Sequence, residues 1–183
     1  MQIDPRRERG HHALRISELL LKDKKREKSF FLLCYIASVS VVLCDQATKL
    51  LAKSNISSPI SVFPGFNLVL VFNRGAAWGI FSGKGDMLLT FSALVLLLIV
   101  VFHRKLTEDW PERYFALSLL CAGIVGNGID RVCWKSVIDF LDFYVLQYHW
   151  PAFNVADSAI CVGVGIFIIS SLFRPTLIKS HGA

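Results

Sequence analysis

Four apolar stretches, over residues 30–51, 86–102, 114–129 and 153–173, constrain this chain more than any other feature. A helix needs roughly 20 mostly apolar residues to cross a bilayer. Each stretch approaches that length once polar residues are allowed at its ends, and the second and third depend on them most. Lipid offers the backbone no hydrogen-bond partner, so such segments satisfy their own N–H and C=O groups as helices. Composition agrees: 54% of residues are hydrophobic, mean hydropathy is +0.51 and only 19% are charged, against about 25% in a soluble domain. A length of 183 residues suits one domain. The expected fold is an all-α membrane protein of four transmembrane helices, with a small extracytoplasmic β-rich element between helices one and two.

The formal net charge of +6 is not spread over a surface. It gathers before Ser29, in Arg6, Arg7, Arg9, Arg15, Lys22, Lys24, Lys25, Arg26 and Lys28, partly offset by Glu8, Glu18, Asp23 and Glu27. A basic block ahead of an apolar run marks a cytoplasmic anchor rather than a nucleic-acid surface. Arg104, Lys105 and Arg113 crowd the link between helices two and three, and Arg174 and Lys179 follow helix four. The positive-inside bias puts that link and both termini in the cytoplasm, and segments 52–85 and 130–152 outside. The expected division is a cytoplasmic basic tail over 1–29, a four-helix domain over 30–174 and a cytoplasmic tail over 175–183. No small-x-small site closes the first apolar run, which argues against a cleaved signal peptide. The bulky Leu43 before Cys44 argues against a lipid-attachment site.

Cys34, Cys44, Cys121 and Cys161 lie in apolar runs and read as small hydrophobes, and Cys133 sits near a helix end. There is no C-x-x-C, no H-E-x-x-H and no clustering of the five histidines, so neither a metal nor another cofactor is expected. Serine-hydrolase and phosphate-loop signatures are missing too: there is no G-x-S-x-G, Lys135 and Ser136 are adjacent and point apart, and Gly83-Lys84-Gly85 is too short. Within 52–85, residues 60–63 and 66–72 are β-branched and aromatic-rich, punctuated by Pro59, Pro64 and Gly65. They predict short strands around a turn. The small residues of Gly75-Ala76-Ala77-Trp78-Gly79 allow close approach of another segment. Trp110, Trp134 and Trp150, with Trp78, suit an interfacial aromatic belt.

The topology then sorts the polar residues by depth. Helix one runs outward and carries Asp45 and Lys49, an i,i+4 pair, toward its outer end. Helix three ends outside with Asn127, Asp130 and Arg131. Helix four begins outside with Asn154 and Asp157, and Asn73 and Asp139 come from the outer segments. All of them converge on one stratum near the outer surface. Ionisable groups at membrane depth cost several kcal/mol and mark function by default. Plainer roles exist for each: Asp45 with Lys49 as a neutralised pair, Asp130 with Arg131 as an interfacial pair, Asn73 and Asn127 as helix–helix glue, and Asn154 and Asp157 as a helix cap. Asp142 competes with Asp139 as the functional acid. Two carboxylates that meet share one proton and can activate one water. A proton-coupled transporter using Asp45, Asp139 and Asp157 as a relay is the alternative, and a noncatalytic scaffold a third reading.

Five blocks in order extend the argument: Asp45-Gln46-Ala47-Thr48-Lys49, Asn73-Arg74-Gly75-Ala76-Ala77-Trp78-Gly79, Gly126-Asn127-Gly128-Ile129-Asp130-Arg131, Val137-Ile138-Asp139-Phe140 and Phe153-Asn154-Val155-Ala156-Asp157. With four helices in this orientation, the chain resembles the bacterial lipoprotein signal peptidases, or signal peptidase II, from about Asp45 to Phe173. The resemblance implies an intramembrane aspartic endopeptidase of the bacterial inner membrane, with Asp139 and Asp157 as its catalytic pair. It favours Asp139 over Asp142. Asp45, Lys49, Asn73, Asn127, Asp130, Arg131 and Asn154 are implied to shape the site and hold substrate. The implied substrates are diacylglyceryl-modified prolipoproteins, cut just before the lipidated cysteine, with membrane lipids as the surroundings and no nucleic acid or obligate protein partner. Three departures stand out: Lys135 where the family often has glycine between Arg131 and Asp139, Ala122 and Ile124 in place of smaller residues, and Trp78 for a usual phenylalanine.

Overall fold

A computed structural model describes residues 5–75 and 83–174, with side chains from residue 25 onward. The run Ala76-Ala77-Trp78-Gly79 and the tail 175–183 lie outside the described residues. Two compact units are distinguished, residues 1–36 and 37–183. The first holds the amino-terminal part of helix α1 (Pro5–Asn55). The second holds the end of α1, strands β1 (Ile60–Phe63) and β2 (Phe66–Asn73), helices α2 (Gly85–Thr107) and α3 (Pro111–Trp134), strands β3 (Val137–Val145) and β4 (Tyr148–His149), and helix α4 (Val155–Phe173).

Four helical segments are long and apolar enough to span a membrane: Lys25–Asn55, Gly85–Thr107, Pro111–Trp134 and Val155–Phe173. Within the second unit α3 is the inner helix, with half of its most apolar window buried, against 6% for α2. Its closest partner is α4, and glycines set the approach: a Cβ on Gly123 would drive into the Ala156 carbonyl, and one on Gly126 would stand 2.7 Å from Asp45 Oδ2. Leu97, Val100 and Val101 on α2 and Ile168 and Ile169 on α4 face outward and exposed, as lipid-contacting residues must.

The helices outgrow their apolar cores. The expected spans 86–102 and 114–129 become Gly85–Thr107 and Pro111–Trp134. Pro111 opens α3 where its missing N–H costs nothing. Both α2 and α3 stop on left-handed residues, Glu108 (φ 48°) and Lys135 (φ 57°). The left-handed backbone at Lys135 is one that glycine adopts without strain, which gives a physical reason for the glycine that the family resemblance implies there.

The sheet is larger than the hairpin expected between helices one and two. Its order is β1-β2-β3-β4, all antiparallel. Thus segment 130–152, expected outside with no strand assigned to it, supplies half of it. β2 lies beside β3 with Val71 opposite Asp139 and Asn73 opposite Val137, across an irregularity between Leu68 and Val71. Phe63, Phe66, Phe143 and Phe153 form a run of ring contacts at 5.2, 4.6 and 5.8 Å along one side. The end of α1 packs on this sheet through Ala52, Ile56 and Phe140, joined by Leu68, Leu70, Leu141 and Val155.

Candidate active site

Asp139 and Asp157 line one cavity of about 630 Å³, together with Asn73, Asn127, Arg131 and Trp150. Each acid is delivered by a different kind of element. Asp139 is the third residue of β3, and Asn73, the diagonal neighbour on β2, donates from Nδ2 to its Oδ2 at 3.0 Å. Diagonal cross-strand pairs lie within reach of such side chains. Asn73 is itself held by the Gly75 N–H, which donates to its Oδ1 at 2.9 Å. Asp157 sits in the first turn of α4, where the backbone amides have no helical acceptor.

Asn154 joins the two acids. As the N-cap of α4 its Oδ1 accepts the Asp157 N–H at 2.9 Å, while the Asp157 carboxylate accepts the Asn154 N–H at 3.3 Å. Its Nδ2 donates to Asp139 Oδ1 at 2.6 Å. Asn127 on α3 donates to Asp157 Oδ1 at 2.7 Å. Every oxygen of the two carboxylates therefore has a neutral N–H donor, and among the described residues no cation forms an ion pair with either one. Burial, foremost, pushes the Asp139 carboxyl up to about 7; the Asn73 hydrogen bond opposes this, and the nearby Asp157 charge adds to it.

Behind this layer lies a buried charge cluster. Lys49 Nζ contacts Asp45 Oδ2 at 2.8 Å, Asp130 Oδ2 at 3.0 Å and Asn127 Oδ1 at 3.0 Å. An ammonium has three N–H donors, so all are engaged. Asp45, Lys49 and Asp130 are each at most 1% exposed. The carboxylates brace the backbone of the site: Asp45 Oδ1 accepts the Ala156 N–H at 2.8 Å, and Asp130 Oδ2 accepts the Ile138 N–H at 3.0 Å. These amides immediately precede the two acids in sequence. Through Asn127, the cluster also fixes the donor to Asp157.

All nine expected residues are thus gathered, but in two layers. Asp139, Asp157, Asn73, Asn127 and Arg131 line the cavity; Asn154, Asp45, Lys49 and Asp130 lie buried behind. Arg131 is positioned by an N–H donated to the Gly75 carbonyl at 3.4 Å. Asp142 stands apart: it accepts from Asn67 at 3.2 Å and meets His149 Nδ1 at 2.9 Å. Gln46 was missed as a site-shaping residue. Its Nε2 reaches Asp45, Asp130 and the Gly126 carbonyl at 3.1–3.2 Å, tying the cluster to α3. The signal was present, because Gln46 lies inside the first motif block. Among the described residues, no three His, Cys, Asp or Glu side chains form a grouping suited to a metal.

Comparison with known proteins points one way. A family profile described as signal peptidase (SPase) II matches residues 37–173. A lipoprotein signal peptidase of Desulforapulum autotrophicum is 40% identical over 150 residues, covering 78% of this chain and 92% of its own length. One from Staphylococcus haemolyticus is 36% identical over 152 residues, covering 81% and 96%. A bacterial membrane enzyme solved by the in meso method at 2.3 Å matches with a TM-score of 0.71 and 35% identity, over 82% of this chain and 93% of its own. The proton-coupled transport alternative gains nothing from these matches.

Proposed function

This chain belongs to the signal peptidase II family, and within it we propose that Asp139 and Asp157 form an aspartic endopeptidase pair acting on prolipoproteins. The carrying observation is that both carboxylates face one cavity and are joined by a single side chain, Asn154, with Asp139 pushed up to about 7. Two close buried acids cannot both ionise cheaply, so the pair holds one proton. That proton belongs to the pair rather than to either residue.

The mechanism follows. The ionised acid takes a proton from a water molecule as its oxygen attacks the scissile carbonyl. The protonated acid hydrogen-bonds the developing oxyanion. The proton gained from water then passes to the leaving amine, which frees the signal peptide. Asn73, Asn127 and Asn154 hold the carboxylates in place, and Arg131 is positioned to bind a substrate carbonyl. The proposed substrate carries a diacylglyceryl-modified cysteine, cleavage falling just before it. By the distribution of lysine and arginine both termini are cytoplasmic, and the site lies near the extracytoplasmic surface. There the lipid chains hold the substrate in the bilayer while water reaches the acids. Residues 1–29 and 175–183 serve as cytoplasmic tails, and catalysis requires no protein partner.

The test is incubation of the detergent-purified chain with a diacylglyceryl-modified precursor. Asp139→Asn and Asp157→Asn should each abolish the shortened product while leaving the protein folded. Normal processing by either variant would defeat the assignment of that acid.

A further inference from the structure

At the other ends of α2 and α4 from the acids, a second cleft of about 700 Å³ opens between these helices. Its walls are Val95, Leu98, Ile99 and Phe102 of α2 and Phe167 of α4, and its polar margin is Lys105, Glu108, Arg113 and Ser171. Apolar walls at membrane depth do not hold water well, since water there would forfeit hydrogen bonds. An empty gap would forfeit dispersion contacts instead. An acyl chain satisfies such a cleft.

The polar margin selects the head group. Arg113 is 4% exposed, and its ring-stacking partner in the cleft is Phe167, at 5.8 Å. Its guanidinium donates to Glu108 at 2.6 Å, Ser170 Oγ at 3.1 Å and the Arg174 carbonyl at 2.8 Å. A guanidinium has five N–H groups, so each terminal nitrogen keeps a second one beyond these three bonds. Glu108 balances Arg113, and Glu112 pairs with Arg174 at 2.8 Å. Arg104 and Lys105, exposed in the last turn of α2, have no ion-pair partner among the described residues. One uncompensated cation, Lys105, and a forked donor, Arg113 paired with Glu108, therefore border an apolar slot.

We infer that this cleft is a binding site for one anionic phospholipid, its phosphate held by Lys105 and Arg113 and an acyl chain lying along Leu98, Phe102 and Phe167. Guanidinium forks and lysine side chains suit phosphate oxygens, and the lysine stem can follow the apolar wall while its ammonium stays at the head-group level. The lipid belongs to the leaflet faced by the α2–α3 link. The site rests on the membrane orientation proposed above and not on the acid pair.

The experiment uses the full chain in detergent, offered equal phosphatidylglycerol and phosphatidylcholine of identical acyl chains, with retained lipid counted by native mass spectrometry. Phosphatidylglycerol should be retained preferentially. Lys105→Gln should lower that preference about fivefold, the worth of one lysine at an anionic surface. Leu98→Trp, which fills the slot, should reduce retention of both lipids. Lys135→Gln, at the other ends of the helices, should leave the ratio unchanged. Equal retention of the two lipids, an unaltered ratio in Lys105→Gln, or an equal loss in Lys135→Gln would overturn the site. Displacement by millimolar inorganic phosphate would show a bare anion site and overturn the lipid assignment. Precursor cleavage followed in parallel separates the two readings, since a chain that cleaves normally but shows no lipid preference defeats only this one.

Discussion

Asn154 does two jobs that substitution can pull apart. It caps α4 through Oδ1 and donates to Asp139 through Nδ2. Alanine removes both. The lost cap costs about 1 kcal/mol, and the lost bond from a buried amide to a carboxyl costs about 2 kcal/mol, giving roughly 3 kcal/mol in all if the terms add. Serine caps helices as well as asparagine does, but its short side chain cannot also reach Asp139. Asn154→Ser should therefore recover the cap, about 1 of the roughly 3 kcal/mol that Asn154→Ala loses. Cleavage should nevertheless fall about a hundredfold or more in both, the usual effect of removing one preorganised donor from a reacting group. Paired thermal unfolding and initial-rate assays on detergent-purified protein measure this. Wild-type turnover by Asn154→Ser would refute the idea that the Asn154–Asp139 bond sets the acid for catalysis.

Other outcomes follow from the same geometry. Asp139 is raised from 3.8 to about 7, so between those values the folded chain keeps a proton that the unfolded chain releases. Its contribution to stability should therefore fall as pH rises across that window and level off above it, and cleavage rates should drop above about pH 7 as the pair loses its last proton. Lys49→Met strands two carboxylates that are at most 1% exposed and should destabilise by about 3–5 kcal/mol; adding Asp130→Asn should restore part of the loss, measured by thermal unfolding. Lys135→Gly relieves a left-handed residue (φ 57°) and should raise stability by about 1 kcal/mol, since the Asp86 contact it gives up is long and exposed. Gly126→Ala places a Cβ 2.7 Å from Asp45 Oδ2 and should cost about 1–3 kcal/mol, with a matching loss of activity.

The spanning segments were legible because their signal is local: a continuous apolar run has few structural options in lipid. Their ends were less so. Asn127, Asp130 and Arg131 read as a boundary, yet α3 continues to Trp134 because their polar groups are satisfied inside the site rather than by water. Strand β3 went unread for a different reason. Val137–Val145 has the β-branched and aromatic content of a strand, but it is buried on both faces at its start and shows no clean alternation. Its partner β2 is distant in sequence, with Asn73 and Asp139 separated by 66 positions. Lys49 was visible as the i,i+4 partner of Asp45, whereas its bond to Asp130 exists only once α1 and α3 meet. The choice between Asp139 and Asp142 needed family resemblance at first. The geometry supplies a separate reason, since Asp139 lines the cavity shared with Asp157 while Asp142 does not and pairs with Asn67 and His149 instead.

The two acids arrive from unlike sources, one on a strand of the sheet and the other in the opening turn of the final helix. A nascent chain that has not yet threaded its fourth segment carries Asp139 without Asn154 or Asp157. If the proposed pair carries the reaction, hydrolytic competence is the last property such a chain acquires during insertion.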